Sequence, residues 1–230
     1  MKKIFLVFMG LIVFNFCGLG FIYGDENNTD TKTIPGNNKI TETNPKDLDA
    51  YYNLGLSFSK QHAYDEAIKN YNKVIEIDPK YKEVYYNRSR AYYKKGLYDE
   101  SIEDCNQAIA MNPKHVNAYI YCGIAYAKKG LYDKAIEVLN KAIEINPRHA
   151  GAYYNRGTAY KDKKLYDEAI KDWTTAIKIN PKHVDAYDNR GFAYYNKSLY
   201  DKAIKDWKKS ADLGSAHARR KLKTYFGIDY

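Results

Sequence analysis

Cysteine is nearly missing from this 230-residue chain: Cys17, Cys105 and Cys122 are the only three, and no Cys-x-x-Cys pair exists. That excludes a disulfide framework and a thiolate-rich zinc or thioredoxin-like site. Tryptophan (2) and methionine (3) are equally sparse. No phosphate-cradling glycine loop, nucleophile–base pair or metal-ligating cluster stands out, so no catalytic residue, metal or cofactor is assigned and the chain is read as a non-enzyme. Neither charge sign dominates: 37 basic against 28 acidic residues give +9. Without residues 1–24, which hold only Lys2 and Lys3, 35 against 28 leave +7, which is no nucleic-acid signature.

The one long apolar run is at the amino terminus. Met1-Lys2-Lys3 followed by Ile4 to Phe16 has the charged and apolar regions of a secretory signal, so the protein is expected to be exported. The run extends to Tyr23, and about 20 residues is also what a bilayer-spanning helix needs. Residues 1–24 are therefore a signal peptide cleaved near Gly24 or a retained anchor, with residues 4–23 as a membrane tether. Lipidation at Cys17 is a third alternative, although Asn15 and Phe16 do not suit it. Localisation is expected in a bacterial periplasm or envelope, or outside the cell. Residues 25–47 hold five Asn, five Thr, Pro35, Gly36 and Pro45, and read as a flexible polar linker.

Pro45, Pro79, Pro113, Pro147 and Pro181 recur every 34 residues, which marks an internal repeat. The units are 48–81, 82–115, 116–149, 150–183 and 184–217, with a capping helix and tail at 215–230. Each holds two apolar stripes at helical spacing, separated near position 15 by His62, Gly96, Gly130, Lys164 or Ser198. Asp65, Asp99, Asp133, Asp167 and Asp201 follow three residues later and are expected to cap the second helix. Tyrosine, at 25 residues, is the compositional outlier. Positions 4 and 17 in all five units and position 11 in four account for 14 of them as packing residues.

The first unit reads Tyr51-x-x-Leu54-Gly55-x-x-Phe58, then Ala67-x-x-x-Tyr71, then Pro79, and the third keeps Tyr119, Gly123, Tyr126, Ala135, Ala142 and Pro147. This pattern, from Leu48 to about Ser215, closely resembles the tetratricopeptide (TPR) repeat. The resemblance implies an all-α fold, a right-handed α-solenoid of five 34-residue helix-turn-helix units plus a C-terminal capping helix. In that cap Ala218, Leu222 and Tyr225 form the apolar edge, while Arg219, Arg220, Lys221 and Lys223 are expected to face outward.

Arg88, Arg156 and Arg190 stand at position 7 only where Asp104, Asp172 and Asp206 stand at position 23, which predicts structural ion pairs between paired helices. Cys105 and Cys122 both occupy packing positions; buried thiols are the default, and a disulfide between touching units is the alternative. His115, His149, His183 and His217 all fall at position 34, too far apart on successive helices to share a zinc ion, and are expected to be solvated.

The resemblance further implies that positions 2, 5, 6, 9, 12 and 13 of the first helices line a concave groove. Position 6 is Asn53, Asn87, Tyr121, Asn155 and Asn189, and a row of primary amides suits the backbone of an extended peptide. Tyr52, Tyr86, Tyr93, Tyr154, Phe192 and Tyr195 are expected to add rigid contact area beside it, with Arg90 at position 9. Charges at these positions cancel: Lys60, Arg90, Lys94, Lys128 and Lys161 against Asp49, Glu83, Asp162, Asp185 and Asp188. The groove is thus no site for nucleic acid, and its acids gather toward the carboxyl end. Lys94, Lys95, Lys128, Lys129, Lys163, Lys164 and Lys197 make a basic edge, read as a soluble rim or as a contact for anionic headgroups or an acidic partner. The expected function is a non-catalytic scaffold for a protein or peptide partner in the groove. The alternative is a structural or assembly subunit acting through its convex or basic surface.

Overall fold

The computed structural model describes residues 48–230; the signal or anchor, Cys17 and the linker lie outside them. Eleven helices and no strand form among the described residues: α1 (Leu48–Lys60), α2 (Tyr64–Ile77), α3 (Lys82–Lys95), α4 (Tyr98–Met111), α5 (Val116–Lys128), α6 (Tyr132–Ile145), α7 (Ala150–Asp162), α8 (Tyr166–Ile179), α9 (Val184–Asn196), α10 (Tyr200–Asp212) and α11 (Ala216–Phe226). None is long and apolar enough to cross a membrane.

Each odd helix through α9 pairs with the even helix that follows, and each even helix also packs on the next odd one, so the hairpins stack as an α-solenoid. The odd helices of successive units touch one another, whereas no even–even pair packs comparably. The odd helices therefore occupy the tighter, inner side.

Within a hairpin, the turn depends on one left-handed residue. Position 15 has positive φ in all five units: His62 (61°), Gly96 (80°), Gly130 (76°), Lys164 (63°) and Ser198 (60°). This lets the next amide reach back to the position-11 carbonyl, as Leu97 does to Tyr92 at 3.0 Å and Leu165 to Tyr160 at 2.9 Å. The close approach of paired helices rests on residue size at positions 8 and 24. A Cβ on Gly157 would lie 2.9 Å from Trp173 Nε1, and one on Gly191 2.8 Å from Trp207. The equivalent positions of unit two hold Ser89 and the smaller Cys105, both fully buried.

Two local expectations are corrected. The even helices are preceded by Ala63, Leu97, Leu131, Leu165 and Leu199, with no side-chain cap. Asp65, Asp99, Asp133 and Asp167 instead receive the ammonium groups of Lys95, Lys129, Lys163 and Lys197, each from the following unit. A carboxylate in the first turn of the helix still complements the dipole, yet the neighbouring lysine is the better-placed donor. Three of the four histidines in the row are helix caps and not solvated side chains, while His217 is exposed as expected. His115, His149 and His183 accept at Nδ1 from the amides of Ala118, Ala152 and Ala186 at 3.2, 3.2 and 3.3 Å, capping α5, α7 and α9.

The capping helix differs at one residue. Ala218 and Leu222 are fully buried, but Lys221 is turned inward over Trp207 and Phe192, 5.2 and 5.5 Å from their ring centres. Its ammonium reaches Asp188 at 3.0 Å.

Candidate functional site

The inner face is built from rungs between position 5 of one unit and position 6 of the next. Asn87 donates through Nδ2 to the Tyr52 hydroxyl at 2.7 Å, and Asn189 to the Tyr154 hydroxyl at 3.0 Å. Where position 6 is Tyr121, the rung is an edge-on ring contact with Tyr86, centroids 5.7 Å apart. Lys221 and Asp188 make the last rung, a charged one. Position 5 of unit three is Ile120, which has no hydroxyl; Asn155 donates through Nδ2 to Gly151 O of its own helix at 2.7 Å, and its buried Oδ1 has no partner among the described residues.

These rungs change what the asparagine row presents. Asn53 is exposed, Asn87 and Asn189 are half-buried, and Tyr121 and Asn155 are closed over. In Asn87 and Asn189 the amide nitrogen is committed, which leaves the amide oxygen as the acceptor for a ligand's N–H. The aromatic residues are placed differently from the expectation. Tyr86, Tyr93, Tyr121 and Tyr154 are all core residues, at most 9% exposed. The position-34 histidines cover two of them: His115 lies 4.7 Å from the Tyr86 ring and His183 4.7 Å from Tyr154. Tyr52 is half-buried against Tyr81 at 5.0 Å, and burial pushes its hydroxyl pKa up. Tyr195 is stacked on Tyr225 of α11 at 4.7 Å, and Phe192 lies under Lys221. Thus the tyrosines hold the units together, and the accessible inner surface is mainly polar.

Two of the three acids expected at the carboxyl end are paired. Asp188 accepts from His217 Nδ1 at 2.7 Å as well as from Lys221, and Asp162 pairs with Lys161 at 3.0 Å. Burial works against the Asp188 carboxylate, but these two donors outweigh it and hold its pKa below the ordinary value. On α3 the side chains of Tyr86, Arg90 and Lys94 follow one another at every fourth residue. The Arg90 guanidinium lies over Tyr86 and Tyr121, 5.6 and 5.5 Å from the ring centres.

On the opposite side of the odd helices, the three Arg–Asp pairs are in contact through two bonds each. Arg88 reaches Asp104, Arg156 reaches Asp172 and Arg190 reaches Asp206, all at 2.6 to 2.8 Å. The sequence reading missed two further partners of each arginine. One is a side chain of the preceding unit, Asn72, Asn140 or Thr174. The other is a tyrosine sandwich from positions 4 and 11, such as Tyr153 and Tyr160 around Arg156 at 5.6 and 5.9 Å. In unit three Cys122 replaces the arginine, and it forms a disulfide with Cys105 of the preceding unit, Cα atoms 5.7 Å apart. The constant 16-residue offset to position 25 of the preceding unit was the signal for the missed Asn and Thr partners.

Among the described residues no group of three or more His, Cys, Asp or Glu comes together as a metal site would require.

Family models described as tetratricopeptide repeat match residues 48–81 and 150–183 and residues 70–103, and one described as TPR repeat matches 89–130 and 125–164. No curated protein matches the chain. Among solved structures, one crystal structure of MamA is 31% identical, covering 70% of this chain and 94% of that one, with a TM-score of 0.63. Another, of MamA protein, is 28% identical over 80% of this chain and 97% of that one, also at 0.63. YrrB, described as a TPR protein with an unusual peptide-binding site, is 24% identical over 78% of this chain and 94% of that one, with a TM-score of 0.60, a likeness of fold alone. With these matches joined to a stack of five like hairpins and a capping helix, the chain belongs to the tetratricopeptide-repeat family.

Proposed function

We propose that this TPR protein is a non-catalytic scaffold that holds an extended segment or helix of a partner protein against its inner face. The observation that carries this reading is the orientation of the inner amides. Asn87 and Asn189 are fixed through Nδ2 by tyrosine hydroxyls, which leaves the amide oxygen of an already ordered side chain as the acceptor. Asn53 continues the row in unit one, where it is exposed. The signal-like amino terminus supports a place outside the cytoplasm, in the cell envelope or released, with residues 4–23 as cleaved signal or membrane tether.

The test is capture of partners from the native envelope by the tagged full-length chain, comparing wild type with Asn53→Ala/Asn87→Ala after far-UV circular dichroism shows equal helicity. Asn155 is left intact because it is buried. A partner lost only by the variant is the expected result. A partner kept by both moves the function to the convex face or the basic edge, the structural-subunit alternative.

A further inference from the structure

Positive charge is concentrated at one end of the solenoid. Residues 197–230 hold nine basic residues against four acidic, +5, whereas residues 48–196 hold 23 against 19, +4. The excess begins on the outer side, where α10 sets Lys202, Lys205 and Lys209 at positions 19, 22 and 26. At a spacing of i, i+3 and i+7 they share one face of the helix, and all three are exposed. Each of the other four units places at least one exposed glutamate at these positions, Glu66, Glu100, Glu137 or Glu168.

The capping helix extends this surface. Arg219 and Arg220 are exposed, and Arg219 donates through Nη2 to Ala211 O at 3.3 Å, which sets its guanidinium at the end of α10, two residues beyond Lys209. Of the four acids, Asp206 is held by Arg190 and Asp229 by Lys223, so Asp201 and Asp212 stand against five exposed cations. Tyrosine marks the same end. Tyr200, Tyr225 and Tyr230 are the only exposed tyrosines among the described residues, each between 45% and 50% accessible. Tyr230 folds back on α10, its ring 5.8 Å from the Lys208 ammonium and its hydroxyl donating to Asp212 at 2.5 Å. A ring with a polar tip suits the headgroup layer of a bilayer, and lysine and arginine are drawn to its anionic lipids.

We infer that this end of the molecule, through Lys202, Lys205, Lys209, Arg219 and Arg220 with the exposed tyrosines, docks on a bilayer surface that bears anionic phospholipid. The inference goes beyond the groove reading and does not depend on it, because α10 lies on the outer side. It needs no retained anchor, since the cations and the tyrosines all belong to the last hairpin and its cap. If residues 4–23 are kept, the 23-residue linker spans on the order of 25 to 30 Å, enough for the folded part to meet the bilayer that holds it.

The experiment is co-flotation of the full-length chain with vesicles of phosphatidylcholine alone and of phosphatidylcholine mixed equally with phosphatidylglycerol. The neutral vesicles measure whatever residues 4–23 contribute. The mixed vesicles are expected to bind at least about tenfold more tightly, and that preference is expected to fade as salt rises. Lys205→Gln/Lys209→Gln/Arg220→Gln is expected to cut the preference at least about fivefold. Lys202, which covers the Tyr194 ring at 5.6 Å, and Arg219 are kept so that contacts within the fold are retained. Lys69→Gln/Lys171→Gln/Lys178→Gln removes the same charge from exposed positions of α2 and α8 and is expected to leave the preference within about twofold. Equal loss in that control overturns the inference, because binding then follows net charge alone. Equal binding of the wild type to both kinds of vesicle overturns it without any variant. A soluble polyglutamate peptide that binds more tightly than the mixed vesicles, and is lost with the same three substitutions, also overturns it and assigns this end to an acidic protein.

Discussion

A single arginine holds three helices in units two, four and five. In unit four the Arg156 guanidinium bonds Asp172 of α8 twice and Asn140 of α6 once, between the rings of Tyr153 and Tyr160. Burial works against its charge, yet Asp172 outweighs that and raises the arginine pKa. Arg156→Ala leaves Asp172, only 3% exposed, as an uncompensated charge, and is expected to destabilise by about 3 to 5 kcal/mol in chemical unfolding. Adding Asp172→Ala is expected to recover part of that loss, and a double-mutant cycle without coupling would contradict the contact. His183 gives a pH signature. Burial lowers its pKa from 6.5 to about 4, so the folded state resists a proton that the unfolded chain accepts. The stabilisation is complete above pH 6.5 and is lost as pH falls toward 4, on the order of 3 kcal/mol in total. Melting temperature should fall across that window, and more shallowly in His183→Asn, which keeps a side-chain acceptor for the Ala186 amide.

At the scale of helices, neighbouring units are joined by equivalent devices made from different residues. The inner rung is Tyr52–Asn87, Tyr86–Tyr121, Tyr154–Asn189 or Asp188–Lys221. The outer link is an arginine at three units and the Cys105–Cys122 disulfide between α4 and α5. That disulfide closes a short loop, 17 residues in separation, so a Cys105→Ser/Cys122→Ser variant should lose on the order of 2 to 4 kcal/mol. Dithiothreitol should lower the wild-type melting temperature and leave the variant unchanged. The repeat period, the turn at position 15 and the Arg–Asp co-occurrence were legible in the sequence because each is a spacing. The rungs were not, since each joins residues 33 to 35 apart whose pairing requires the angle between successive units.

For the molecule as a whole, the last hairpin depends on α11. Trp207 is fully buried beneath Leu222, Lys221, Tyr225 and Phe226, and no later unit exists in the described structure to replace them. Ending the chain after Gly214 uncovers that face. The truncated protein is expected to lose helicity in unit five and to associate on size-exclusion chromatography, while units one to three keep their hydrogen-exchange protection, because stability in a solenoid is set by nearest neighbours. Loss of protection throughout the chain would show that the five units unfold as one.

The sequence by itself determined the helices, the five-fold period, the cap and the family, because helical periodicity and a proline every 34 residues are properties of spacing along the chain. It named the inner residues but not their availability. Only the stacking of units decided that Tyr86, Tyr121, Tyr154 and Asn155 are interior and that Lys221 turns inward to neutralise Asp188. Burial and pairing depend on which side chains another unit brings within a few ångströms, and that is set by the superhelical packing of one hairpin on the next.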